Sequence, residues 1–161
     1  PQANELGLDL YCGVGAIGLL MAQNARKRGE PLKRLWGLEE TESSISDARY
    51  NAKSNGIDEA EFIVGRAEDT LTQLVDRVLC YDQPSIVVAL NPSRRGCQAE
   101  VLRLITQLQP RAIAYMSCHA RTLTRDLSLL FSLGYSADHI TLFDMFPGSY
   151  HYETVTVLSK R

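Results

Sequence analysis

The sequence predicts an α/β domain built on a mainly parallel, doubly wound sheet. Three observations predict it. Short apolar runs alternate with segments of helical period along the whole chain. A glycine-rich turn follows the first run directly. The motifs rich in glycine, acid and amide groups recur just after the apolar runs, where a doubly wound sheet gathers its ligands.

Each element has its own signal. Residues 6–10 form a first strand, followed by the glycine turn and a helix over about 16–28. Residues 34–38 form a second strand, followed by a helix over about 42–55 that Gly56 stops. A third strand spans 60–64 and its helix roughly 70–79. The continuous apolar run 85–90 is typical of a central strand buried on both faces. A helix over about 98–108 follows and ends before Pro110. A fifth strand at 112–116 leads to a helix over about 122–133. Two closing strands, 139–143 and 154–158, flank a loop containing Pro147-Gly148, a connection that lets them pair antiparallel.

Composition bounds the function. A chain of 161 residues, 45% hydrophobic and 22% charged, suits one α/β domain with a sizeable core. No apolar run reaches the ~18 residues of a membrane span. The chain opens at Pro1 without a methionine, as expected of a domain cut from something longer. Cys12, Cys80, Cys97 and Cys118 form no C-x-x-C pair, which argues against a zinc or iron–sulfur site. Their spacing suggests no disulfide framework and so a reducing, cytoplasmic setting. The net charge of −2 weighs against a basic nucleic-acid stripe on this domain itself.

The first motif runs from Asp9 through Tyr11, Gly13 and Gly15 to Gly18. Its glycines let the backbone turn sharply and approach a ligand, but G-x-G-x-x-G alone serves NAD(P), FAD and S-adenosylmethionine equally. Asp9 discriminates. At the end of the first strand it is placed to reach a cationic amino group, directly or through water, and it would repel a pyrophosphate. The sign of this one charge favours S-adenosyl-L-methionine over a dinucleotide. Glu39, at the end of the second strand, is placed to accept from ribose hydroxyls, with Glu40 an adjacent alternative. After the third strand, Glu68 or Asp69 is placed to accept from an adenine amino group, and Asp69 serves equally well as a helix N-cap.

Three further motifs point to chemistry. Asn91-Pro92 gives a rigid exit from the central strand, and Arg94 and Arg95 carry charge suited to phosphate or an oxyanion. Cys118 lies at a strand-to-helix turn, where a helix N-terminus with His119, Arg121 and Arg125 favours a thiolate nucleophile. Cys80 and Cys97 sit near helix ends with no partners evident. In the sixth motif, from Asp144 to Glu153, His151 and Glu153 are expected on one face of the last strand, and aromatic neighbours suit Glu153 to a general base.

Together these motifs resemble the RNA uracil-5-methyltransferases, and most closely their 23S ribosomal RNA branch. The resemblance covers essentially the whole chain. It rests on D-L-Y-C-G-V-G at 9–15, N-P-x-R-R-G at 91–96, S-C at 117–118 with Thr122 and Arg125-Asp126 downstream, and D-M-F-P with H-Y-E between 144 and 153. It implies a Rossmann-like class I methyltransferase sheet of seven strands with an antiparallel last strand, one catalytic domain over 1–161. It implies S-adenosyl-L-methionine as cofactor, held by Asp9, Tyr11, Gly13, Gly15, Glu39, Glu68 and Asn91. It implies Cys118 as nucleophile toward uracil carbon 6, Glu153 as base and Asn91 beside both. Arg94, Arg95 and His151 then face a uridine of ribosomal RNA, flipped from its stack.

Three departures from the family pattern stand out. His119 occupies a place usually held by Asn, Ser93 one often held by Pro, and the family's N-terminal RNA-binding part is not in this chain. Such an enzyme is expected to be a cytoplasmic monomer with no metal in this domain. Competing readings are another S-adenosylmethionine-dependent methyltransferase with Cys118 structural, an NAD-dependent oxidoreductase, and a non-catalytic module of the same fold.

Overall fold

A computed structural model describes residues 5–145, 147–149 and 151–161. They form seven strands and five helices: β1 (Glu5–Leu10), α1 (Ala16–Lys27), β2 (Arg34–Glu39), α2 (Glu42–Ser54), β3 (Ala60–Val64), α3 (Ala67–Leu79), β4 (Ser85–Leu90), α4 (Ala99–Gln107), β5 (Ala112–Ser117), α5 (Ala120–Ser132), β6 (Tyr135–Phe143) and β7 (Glu153–Lys160). The strands make one sheet in the order β3-β2-β1-β4-β5-β7-β6. Every pairing is parallel except those of β7, which runs antiparallel to both β5 and β6. The switch point falls between β1 and β4, so the turns after these two strands face one crevice.

Alternation along β1 divides the core in two. Leu6, Leu8 and Leu10 point to the face covered by α3, α4 and α5. The opposite face, under α1 and α2, is lined by Leu35, Ile45 and Phe62. Helical spacing explains the contacts: Leu71, Leu74, Val75 and Val78 make one apolar stripe on α3, and Leu123, Leu127 and Leu130 make one on α5. Asp126 lies within that α5 stripe and is only 2% exposed.

The expected elements are present, with shifted edges. Helix α3 begins at Ala67 rather than near residue 70, so Asp69 lies inside the first turn and Arg66 occupies the N-cap position. Strand β6 begins at Tyr135, four residues before the expected start, and carries a register shift between Ala137 and His139. Its polar stretch at 136–139 hides the strand period, while the Tyr135 hydroxyl anchors its start by donating to the Pro110 carbonyl at 2.9 Å. The last strand begins at Glu153, so His151 lies in the preceding loop and not on the strand. Phe146 and Tyr150 of the sixth motif lie outside the described residues.

Candidate active site

The carboxyl ends of β1, β2, β3 and β4 open into a cleft of about 810 Å³. Its lining includes Tyr11, Glu39, Glu40, Glu68, Asn91 and Arg95. Of the glycine turn only Tyr11, and neither Gly13 nor Gly15, lines the cleft, and backbone geometry shapes the turn. Tyr11, Gly13 and Gly15 all have positive φ, at 61°, 52° and 80°. Tyr11 alone among them carries a side chain, and this left-handed conformation is unusual for a bulky residue. Gly15 is fixed by space as well, because a Cβ there would lie 2.8 Å from the Phe62 ring. Around Gly13 nothing lies within 4 Å of such a Cβ, so its backbone is open to an incoming group.

Glu39 organises this turn. Its Oε2 accepts from the Gly13 N–H at 3.2 Å, and its Oε1 accepts from the Thr41 N–H at 3.0 Å. Glu68 reaches across from α3 and accepts from the Tyr11 hydroxyl at 3.3 Å. Asp9 lies beneath the turn and is fully buried. Its Oδ2 accepts from the Gly18 N–H at 2.7 Å at the start of α1, while its Oδ1 has no partner among the described residues. Burial pushes its carboxyl up to about 7, against the opposing pull of the Gly18 N–H. Asp9 does not line the cleft.

The other half of the site is built by side chains. The 91–96 loop leaves β4 with Asn91 exposed and its N–H donating to the Leu10 carbonyl at 3.3 Å. Helix α5 holds the rest of the loop. Thr122 Oγ1 donates to the Arg94 carbonyl at 3.1 Å, and Arg125 donates to the carbonyls of Arg95 and Cys97 at 3.1 and 2.9 Å. Asp126 Oδ2 accepts from the Cys97 N–H at 2.8 Å and from the Tyr115 hydroxyl at 2.6 Å. Its Oδ1 accepts from Arg125 at 2.7 Å. The side chains of Arg94 and Arg95 stay exposed, and of the two only Arg95 lines the cleft.

Cys118 follows β5 directly and is half-buried. The β5–β7 register pairs Ser117 with Thr154, so Cys118 and Glu153 stand one residue beyond the last pair, on adjacent antiparallel strands. His119 occupies the N-cap of α5, its ring Nδ1 accepting from the Thr122 N–H at 3.4 Å. His151 is exposed, and its N–H donates to Ser149 Oγ at 3.1 Å. Neither Cys118, Glu153 nor His151 lines the cleft itself.

A model of the tRNA (uracil-5-)-methyltransferase family matches residues 2–161. The chain belongs to this family. It is 41% identical over 157 residues to a protein of Enterococcus faecalis, and 38% identical over 156 to one of Clostridium acetobutylicum, each named as an uncharacterized RNA methyltransferase. These matches cover 98% and 97% of this chain but 32% of each relative, so the chain spans about a third of their length. Among solved structures it is similar to the Pyrococcus abyssi tRNA (uracil-54, C5)-methyltransferase in complex with S-adenosyl-L-homocysteine. That match has a TM-score of 0.72 and 31% identity, over 96% of this chain and 34% of that one. Precorrin-6y C5,15-methyltransferase from Geobacter metallireducens shares the fold at a TM-score of 0.68 and 13% identity, over 99% of this chain and 82% of that one.

Within this domain of the tRNA (uracil-5-)-methyltransferase family the sequence motifs lie at the same ends of the strands, in two groups. Tyr11, Glu39, Glu68, Asn91 and Arg95 share the cleft, while Cys118 and Glu153 lie outside it at neighbouring strand ends. Cys97 is a correction to the sequence reading: far from lacking partners, it lies buried beside the hydroxyls of Tyr11 and Tyr115. Burial pushes its thiol up to about 12, which suits a structural thiol and not a nucleophile. Burial pushes the Cys12 thiol up as well. The residue that sequence reasoning undervalued is Asp126. Its signal was available: a carboxylate set at a core position of an apolar helical stripe must be buried, and a buried charge needs partners.

Proposed function

We propose that this chain forms the catalytic domain of an enzyme that methylates carbon 5 of a uridine in RNA through a covalent Cys118 adduct. The observation that carries the reading is the juxtaposition at the ends of β5 and β7. Extended by one residue, the β5–β7 register puts Cys118 and Glu153 at neighbouring strand ends, which supports reading them as a nucleophile and base pair.

The cleft suits S-adenosyl-L-methionine. Glu39, Glu40 and Glu68 line it, alongside Arg66, Arg95 and Arg125, and these carboxylates suit a ligand with hydroxyl and amino donors. The orphaned, buried Oδ1 of Asp9 is the kind of acceptor that an ammonium group or its bound water would satisfy. Asp9, Tyr11, Gly13, Gly15, Glu39, Glu68 and Asn91 are the residues we assign to it. When bound, the cofactor supplies an electrophilic methyl group on a sulfonium.

The protein's own residues then meet the difficulty that uracil carbon 5 is a poor nucleophile. The Cys118 thiolate adds to carbon 6, and the electron pair displaced onto carbon 5 makes that carbon reactive toward the methyl donor. Glu153 accepts the carbon 5 proton after alkylation. The electron pair of that C–H bond restores the ring double bond and expels the thiolate from carbon 6. Asn91, which follows β4 and lines the cleft, is assigned a place beside both cofactor and base. Arg94, Arg95 and His151 are assigned to the uridine and its phosphates, which must leave the base stack to reach Cys118.

The substrate we propose is ribosomal RNA, on the resemblance of the motifs to the 23S branch. Transfer RNA is the second reading, because the family model and the archaeal neighbour carry it in their names. With a net charge of −2 on this domain, most phosphate contacts are assigned to other parts of a protein whose relatives are three times as long. The enzyme is read as a cytoplasmic monomer.

The test is mass spectrometry of the full-length protein incubated with S-adenosyl-L-methionine and RNA containing 5-fluorouridine. Fluorine cannot leave carbon 5 as a proton does, so a covalent protein–RNA species mapping to Cys118 is expected. Running ribosomal and transfer RNA in parallel assigns the substrate. Methylation without an adduct, or an adduct that survives Cys118→Ala, overturns the mechanism.

A further inference from the structure

We infer that Asp126 is a positioning residue, a buried clamp that holds the 91–96 loop in the conformation that presents Asn91 and Arg95 to the cleft. The geometry is independent of the proposed function, but its consequence for the reaction rests on that reading.

The loop has little internal support. Among the described residues its own hydrogen bonds are a Gly96 N–H to the Ser93 carbonyl at 2.9 Å and a long Arg95 N–H to Ser93 Oγ at 3.4 Å. Its entry is tied to β1 by the Asn91 N–H, and the bonds that fix the rest come from α5, 28 or more residues away in sequence. Asp126 is their centre. One carboxylate oxygen takes the Cys97 N–H and the Tyr115 hydroxyl, tying the loop's exit to β5. The other takes Arg125, which itself donates to the Arg95 and Cys97 carbonyls. Thus a single buried carboxylate organises both the donor and the acceptor side of the loop backbone. Space fixes the same contact: Gly96 has φ +70°, and a Cβ there would lie 2.5 Å from Asp126 Oδ2.

Geometry also makes the charge necessary. Three donors converge on two oxygens, and all three lie inside or against the protein. An amide in place of the carboxylate turns an NH2 toward either Arg125 or the Cys97 and Tyr115 pair, leaving donors unpaired on one side. Asp126 is among the residues that line the cleft but is only 2% exposed, and its oxygens are engaged by these donors, so it acts through the loop.

The experiment is Asp126→Asn in the full-length protein, read in two ways. Limited trypsin digestion probes the loop directly, since Arg94 and Arg95 are cleavage sites within it. Cleavage after these two residues is expected to accelerate about 10- to 100-fold, with other sites unchanged. Steady-state kinetics probe the consequence. The kcat for 5-methyluridine formation is expected to fall about 10- to 100-fold and the KM for RNA to rise. Unchanged cleavage and kinetics overturn the proposal. So does a general loss in which Tm and all cleavage sites move together, because that marks Asp126 as part of the core only. Should Asp126→Asn not fold, Thr122→Val, which deletes the bond to the Arg94 carbonyl together with the hydroxyl's local contacts to His119, is expected to show the same pattern at a few-fold level. A wild-type protein that makes no 5-methyluridine defeats the proposed function, and the loop cleavage rate then decides the clamp alone.

Discussion

The two halves of the site are held in place by opposite means. On the cofactor side, at the ends of β1, β2 and β3, the backbone is placed by what is missing: glycines at 15, 18 and 37 leave room that side chains from other elements fill. On the chemistry side, at the ends of β4, β5 and β7, the backbone is placed by what is added, a web of hydrogen bonds from α5 onto the 91–96 loop. The first kind of order is steric and local to a turn. The second is electrostatic and spans about thirty residues of sequence. The difference predicts that cofactor-side variants act through packing and stability, and chemistry-side variants through hydrogen-bond geometry.

Gly37→Ala is the sharpest steric test. Gly37 sits in β2 with ordinary backbone angles, so the substitution adds a methyl and no torsional strain. That methyl would lie 2.3 Å from Phe62 Cδ1 and 2.9 Å from Cys12 Sγ, both in buried side chains. A loss of about 3 kcal/mol is expected in chemical denaturation. A loss below about 0.5 kcal/mol would mean that Phe62 yields freely, and the steric account of this half would fall.

The same contrast explains what could be read in the sequence. The order and type of all the elements were legible, because the apolar periods of strands and helices and the glycine, proline and acid signals are local. So was the glycine turn, although its partner Phe62 was not, since nothing near 15 or 37 announces a ring arriving from β3. The α5 clamp was least legible. Thr122 and Asp126 entered the reading through a resemblance and Arg125 as a cation near Cys118, whereas their contacts with 91–97 are long-range. Cys97 looked partnerless for the same reason, because Tyr11 and Tyr115 come from two other strands.

Asp9 breaks the simple division, since it is a charged group beneath the steric half. Its carboxyl ordinarily titrates near 3.8, and burial pushes it up to about 7 in the fold. Between those values the folded state holds a proton that the unfolded chain has released. The stability this group contributes is therefore fully present below pH 4, falls as pH rises toward 7 and is flat beyond. Asp9→Asn keeps an acceptor for the Gly18 N–H and removes the titration. The variant's stability relative to the wild type is expected to rise by on the order of 2 kcal/mol between pH 4 and pH 7. Thermal denaturation across that range checks it, and a difference that is constant with pH would refute the assignment. In the same variant S-adenosylhomocysteine affinity is expected to fall about tenfold, as befits a loss of about 1.4 kcal/mol to an acceptor for the ligand's cation.

The smallest effect tests the chemistry side where it departs from its family. His119 stands where the resemblance leads one to expect Asn, directly after the proposed nucleophile. Its role in the fold is visible: it caps α5, with Nδ1 accepting from the Thr122 N–H. Asn is among the best residues at an N-cap, so the two side chains perform one task with different acceptor atoms. His119→Asn is accordingly expected to change stability by less than about 0.5 kcal/mol, while His119→Ala, which leaves the Thr122 N–H without its acceptor, costs about 1 kcal/mol. Thermal denaturation measures both. The catalytic readout separates capping from chemistry. If His119 serves only the helix, Asn restores the 5-methyluridine rate that Ala loses. A rate that Asn fails to restore, at full stability, would instead assign the imidazole a direct part beside Cys118.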